Sequence, residues 1–208
     1  MNRRSVIVNA ITFARVPLIL AWFGFAVAEE HLGGFALGFL ACAAMLLAGL
    51  TDAFDGALAR RWGVVSTLGK MADPLMDKVF YVVVFPTLTW LIAHQGESGA
   101  HALAMLAFTI LYILRDMWVT FLRSVGSLYG ADVAAMWLGK VRTALSFPAA
   151  GWVYLFLIAH PSAPSAWAGR WLASCYAVEA AMIVINLVSF VTYTRAYSPY
   201  LKKALAQK

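Results

Sequence analysis

The sequence predicts an all-α, polytopic membrane protein with six transmembrane helices and an N-terminal interfacial amphipathic helix. Three observations predict it. The 208 residues are 62% hydrophobic and 12% charged, with mean hydropathy +0.77, more apolar surface than a water-soluble core of this length hides. Six apolar stretches recur along the chain, most of them near the ~20 residues that span a bilayer as a helix. Finally, Lys and Arg gather in alternate connecting segments, as they do on one side of a membrane.

The first stretch, Val16 to Ala28, follows a lead-in from Ser5. Val6, Ile7, Ala10, Ile11 and Ala14 recur there at helical spacing with Phe13 on the flank, and Arg3, Arg4 and Arg15 are placed to meet lipid head groups. The same pattern also suits a plain extension of the first span. Arg3 and Arg4, the run from Pro17 to Phe25 and the Ala26-Val27-Ala28 end resemble a signal peptide. Arg15 just before the apolar run and the periodic lead-in argue against cleavage. The second and third spans are expected at Gly34 to Leu58 and Met71 to Ala93, with Pro74 inside the first turn of the third, where its missing N–H costs little. The fourth is expected from Ala102 to Leu122, the fifth from Thr143 to Ala159 and the sixth from Trp171 to Tyr193. No internal repeat or separate soluble segment interrupts them, so residues 1–208 read as one integral-membrane domain with residues 1–15 as its juxtamembrane lead-in.

Arg3, Arg4 and Arg15 precede the first span; Arg60, Arg61 and Lys70 lie between the second and third; Arg123, Lys140 and Arg142 lie between the fourth and fifth; Arg195, Lys202, Lys203 and Lys208 follow the sixth. The opposite connections carry Glu29, Glu30, His31, His94, Glu97, His101 and His160, with Arg170 the basic exception. This asymmetry predicts both termini on the cytoplasmic side of the membrane. It also reassigns the net charge of +6 from nucleic acid, which is not an expected partner, to topology and anionic membrane lipid. Cys42 and Cys175 sit in apolar runs and read as small core residues rather than a disulfide or a thiolate metal site.

Four of the ten acidic residues fall in one stretch, Asp52, Asp55, Asp73 and Asp77. Carboxylates beside hydrocarbon-rich helices are expensive and mark function. Asp52, Asp55, Gly56, Ala59 and Arg60 share a helical face at the end of the second span, and Gly69, Asp73 and Asp77 share one at the start of the third. A short connection makes these helices neighbours, so their carboxylates converge at the cytoplasmic surface. With no His or Cys among them, the donors are hard oxygens, which favour Mg²⁺, Mn²⁺ or Ca²⁺ over Zn²⁺. Gly56 and Ala59 leave an open strip for a bulky ligand, and the Arg60 fork suits phosphate. Together these features describe a site for a pyrophosphate-containing nucleotide, where two divalent ions would clamp an in-line displacement at phosphorus.

The pattern Asp52-x2-Asp55-Gly56-x2-Ala59-Arg60-x8-Gly69-x3-Asp73-x3-Asp77 resembles the signature of the CDP-alcohol phosphotransferase family, without departure at any signature position. The resemblance implies Mg²⁺ or Mn²⁺, two ions, held by Asp52, Asp55, Asp73 and Asp77. It implies Asp77 as the catalytic base for the acceptor hydroxyl, with Asp52, Gly56, Ala59, Arg60 and Gly69 around the CDP part of the donor. It also implies a homodimer in the bacterial cytoplasmic membrane.

The acceptor is read from later spans. Arg115, Arg123, Lys140 and Arg142 lie on the same side as the Asp cluster and suit an acceptor that carries a phosphate. Lys140 and Arg142 also read as ordinary topology charges, and Arg115, inside an apolar helix, has Asp116 or a lipid phosphate as alternative partners. The segments RDMWVTFLR and WLGKVRT, with Asn9-x2-Thr12-x2-Arg15, are similar to the bacterial members of the family that join CDP-diacylglycerol to sn-glycerol 3-phosphate. Those members often show Arg-Glu where this chain has Arg115-Asp116, and a second Lys where it has Arg142. Phosphatidylglycerol, as in cardiolipin synthases, and inositol phosphate are the competing acceptors. A cation transporter is the competing class, but its acids tend to lie near the membrane midplane in interrupted, repeated helices.

Overall fold

A computed structural model describes residues 3–64, 67–95, 99–131, 137–159 and 164–206; the side chains of Thr67, Leu68, Lys70, Met71, Asp73 and Leu138 lie outside the described set. The expectations placed on Glu97, His160 and Lys208, and on the side chains of Asp73 and Lys70, therefore fall outside it. Six helices follow one another: α1 (Arg3–Leu32), α2 (Phe35–Trp62), α3 (Thr67–Gln95), α4 (Gly99–Leu128), α5 (Trp137–Ala159) and α6 (Ser165–Ala206). No strand occurs among the described residues. All six helices are long and apolar enough to cross a membrane, and the protein is an integral membrane protein.

Every helix outruns its expected apolar span at one end or both, because hydropathy marks the hydrocarbon crossing and not the helical hydrogen bonding that continues past it. The lead-in and first span are one continuous helix, α1, with Val8, Thr12, Arg15, Ile19, Trp22 and Ala26 buried along one face. Pro74 is not in a first turn: α3 starts at Thr67, seven residues earlier. Its missing N–H thus falls in the helix interior, where the carbonyl one turn back loses its partner. At 42 residues, α6 is about 63 Å long against a hydrocarbon core of ~30 Å, so it stands well clear of the membrane.

Two glycines end helices in the left-handed region that side chains avoid. Gly63 (φ 63°) closes α2, with the Val64 N–H donating to the Ala59 carbonyl at 3.1 Å, and Gly130 (φ 72°) follows α4, with Ala131 donating to Gly126 at 2.9 Å. The Gly33-Gly34 pair, both at positive φ, makes the tight turn between α1 and α2.

Packing closes a ring in the order α1, α2, α5, α6, α4, α3, with α3 and α5 also touching across it. The main core runs along this interior, with Trp22 edge-on to Tyr154 at 5.5 Å and Phe85 edge-on to Phe108 and Tyr112 at 4.8 and 4.9 Å. Leu20, Phe23, Phe39, Leu46, Leu114 and Val184 are exposed on the outside, as lipid-facing side chains are. A second, smaller core of Val119, Leu122, Tyr193 and Tyr197 ties the far end of α4 to the protruding part of α6.

Candidate active site

Helices α2 to α6 line a cavity of about 770 Å³ at the end of the bundle that carries the Asp motif. On one wall stand Asp52, Asp55, Gly56 and Arg60 of α2 with Asp77 and Lys78 of α3. Facing them are Arg115, Asp116 and Arg123 of α4, Lys140 and Arg142 of α5, and Tyr193 of α6. The helical spacing of three and four residues explains the acidic wall: Asp52 and Asp55 are one turn apart on α2, and Asp77 faces them from the antiparallel α3.

The carboxylates gather round a cation from a third helix. Arg15 of α1 lies 2.7 Å from Asp52, 3.0 Å from Asp55 and 3.3 Å from Asp77. Thr12, one turn earlier, donates its hydroxyl to Asp55 Oδ2 at 2.9 Å and also contacts the Val8 carbonyl. Asp52, Asp55 and Asp77 all reach one guanidinium, and their hard oxygens are the ligand type that suits Mg²⁺ or Mn²⁺. Among the described residues, no three His, Cys, Asp or Glu side chains already form a metal cage; Asp73, on the same face of α3, has its side chain outside the described set. Arg60 folds back beside Gly56, its Nη1 3.3 Å from where a Cβ would stand, so a side chain at Gly56 would push it from the cavity rim. Ala59 and Gly69 are half-buried and do not line the cavity.

The basic wall is divided. Arg115 and Arg142 are buried and already engaged. Arg115 hydrogen-bonds Ser189 and lies over the Tyr193 ring at 5.0 Å, with Asp116 at 4.0 Å. Arg142 donates to Asp116 at 3.0 Å and to Asn186 at 3.4 Å, and lies over the Tyr112 ring at 4.1 Å. Asp116 is the hub: it also accepts from Tyr81 Oη at 2.5 Å and pairs with Lys78 at 3.6 Å. Lys140 is exposed and Arg123 half-buried, so their charged ends are the more accessible to an incoming anion. An apolar groove of about 680 Å³ joins the cavity, sharing Asp52, Ala144 and Phe147 with it, and continues between α2 and α5 past Met45, Gly49, Gly151 and Trp152 to Cys42 and Leu155.

From sequence, Arg15 reads as a topology charge and, with Asn9 and Thr12, as part of a family resemblance, while Tyr81, Asn186, Ser189 and Tyr193 carry no assignment. The available signal was the Asn9-x2-Thr12-x2-Arg15 spacing, which puts Thr12 and Arg15 on one helical face; polar residues inside apolar α6, Asn186 and Ser189, were a second.

Fold and cavity together describe an integral membrane protein with an acidic and a basic wall at one end of a helical bundle. The chain belongs to the CDP-alcohol phosphatidyltransferase family, whose model matches residues 5–193. Among known proteins it is similar to the CDP-diacylglycerol--glycerol-3-phosphate 3-phosphatidyltransferase of Escherichia coli (strain K12), 28% identical over 158 residues, 76% of this chain and 80% of the relative. The proteins of the same name from Shigella flexneri serotype 5b (strain 8401) and Shigella boydii serotype 4 (strain Sb227) are each 27% identical over the same shares.

Proposed function

We propose that this chain acts as one domain that transfers the phosphatidyl group of CDP-diacylglycerol to sn-glycerol 3-phosphate, giving phosphatidylglycerophosphate and CMP. The observation that carries this reading is the junction of three surfaces at one cavity: carboxylates on α2 and α3, cations on α4 and α5, and an apolar groove between α2 and α5. From Ala53 to Cys42 the groove runs about 16 Å along α2, close to one ~15 Å leaflet of hydrocarbon, which suits an acyl chain of a membrane-embedded donor. Relatives named for the same donor and acceptor support the assignment.

Asp52, Asp55, Asp73 and Asp77 would hold Mg²⁺ or Mn²⁺, two ions in this reading, whose chemistry is to neutralise charge on the diphosphate and the departing CMP. Gly56 and Arg60, with Ala59 and Gly69 behind them, receive the cytidine diphosphate, and Asp52 contacts both metal and donor. Asp77 accepts the proton of the acceptor hydroxyl. The freed oxygen attacks the phosphorus that carries diacylglycerol, the bond from that phosphorus to the oxygen of CMP breaks, and CMP leaves with the electron pair. Arg123 and Lys140 bind the phosphate of the acceptor directly, while Arg115 and Arg142, held by Ser189, Asn186 and Asp116, shape the pocket and add positive potential. In this reading the end of the bundle that carries the basic connections faces the cytoplasm, supported by their excess of Lys and Arg, and the membrane is a bacterial inner membrane, as the bacterial relatives suggest.

The test is CMP release by the purified protein with CDP-diacylglycerol, Mg²⁺ or Mn²⁺, and a panel of acceptors. Glycerol 3-phosphate is expected to support turnover, with phosphatidylglycerol and inositol phosphate at background. Turnover only with phosphatidylglycerol would reassign the acceptor, and no CMP release with any acceptor would remove the synthase reading.

A further inference from the structure

Three motif carboxylates converge on Arg15, a residue with no part in the transfer described above. Its side chain is 0% exposed, whereas those of Asp52 and Asp77 are 41% and 31% exposed. The guanidinium therefore lies behind the carboxylates, on the side away from the cavity. It meets one oxygen of each: Asp52 Oδ1, Asp55 Oδ2 and Asp77 Oδ1. Like charges this close raise one another's energy, and a cation among them relieves that repulsion. A divalent ion on the cavity side would relieve the same repulsion from the other face. A positive charge a few ångströms behind its ligands opposes such an ion through short-range Coulomb repulsion that solvent screens weakly at a buried site.

We propose that Arg15 is a built-in counter-ion of the carboxylate site: it holds Asp52, Asp55 and Asp77 together in the metal-free protein and weakens their hold on divalent cations. The inference rests on the reading that these carboxylates bind such cations. Three carboxylates with Arg15 carry a formal charge of −2 rather than −3, so the site stays assembled without metal and releases it readily. Arg15 is a positioning residue, and its placement on α1 makes the lead-in helix part of the site.

Mn²⁺ binding to the purified full-length protein, without substrate, tests this in wild type, Arg15→Gln, Arg15→Lys and Thr12→Val. Arg15→Gln is expected to bind Mn²⁺ at least about tenfold more tightly, since a buried like charge has gone. Arg15→Lys, which keeps the charge, and Thr12→Val, which removes only a neutral hydrogen bond to Asp55, should stay within roughly threefold of wild type. Thermal unfolding supplies the second readout: metal-free Arg15→Gln melts below wild type, and Mn²⁺ raises its Tm by more. If Arg15→Gln folds only with Mn²⁺, chelation should unfold it while wild type and Arg15→Lys survive. A purely structural role would weaken Mn²⁺ binding, so an Arg15→Gln protein that binds no tighter, or stays unfolded with Mn²⁺ present, overturns the proposal. A folded wild type that binds no Mn²⁺ instead sinks the metal reading of the carboxylates, a separate failure.

Discussion

Charge near the cavity divides by burial, and residue-level substitutions should divide the same way. Asp77→Asn removes the assigned base and should lower CMP release by about 10²–10⁴-fold while circular dichroism keeps its helical signature. Near-normal turnover would take Asp77 out of that role. Lys140→Ala and Arg123→Ala each delete a charged donor worth about 1.5–3 kcal/mol, so the KM for glycerol 3-phosphate should rise roughly 10–100-fold with the donor's KM little changed. Equal shifts for both substrates would count against an acceptor-phosphate pocket. Arg142→Ala should behave differently. It strips Asp116 of its nearest cation and Tyr112 of its stacked guanidinium, so the loss should show first in thermal stability, by about 3 kcal/mol. The identities of these cations were legible in sequence. Their division into engaged and accessible members was not, because Ser189 and Asn186 approach them from a helix more than 40 residues away along the chain.

Element by element, periodic hydropathy located each helix but not its ends. The protruding parts of α4 and α6 depend on a close contact: a Cβ at Gly126 would overlap the Tyr197 ring and come within 3.1 Å of Ala131. Gly126 thus brings α6 against α4 one turn from Arg123. Gly126→Val should cost about 1–3 kcal/mol by overpacking this small core and should also raise the KM for the acceptor, as Arg123 shifts with its helix. Thermal denaturation and steady-state kinetics on the same preparation check both, and unchanged values would show that the two helix ends move independently. The sequence carried Gly126 and Tyr197 plainly, yet their partnership spans 71 positions and no local spacing announces it.

For the molecule as a whole, a polar cavity opening into an apolar groove suits a substrate half in water and half in lipid. Gly151 keeps the groove clear, with Met45 Sδ 3.7 Å from where its Cβ would stand. Gly151→Phe should fill that space and raise the KM for long-chain CDP-diacylglycerol roughly tenfold, a cost of the 1–3 kcal/mol that lost pocket contacts carry. A donor with hexanoyl chains, too short to reach Gly151, should be used as before. Equal impairment with both donors would place the acyl chain elsewhere.

The sequence by itself determined the six crossings and the acidic motif, since hydropathy and three-to-four residue spacing are properties of local chain segments. It also determined the family, through a signature confined to 26 consecutive positions, 52–77. Only the tertiary structure decided what stands opposite that motif and beneath it: the Asp116 hub, the α2–α5 groove and Arg15 under the carboxylates. Those depend on which helices become neighbours in the ring, and side chains 40 to 62 residues apart, such as Arg15 with Asp55 and Asp77, meet only once that packing has formed.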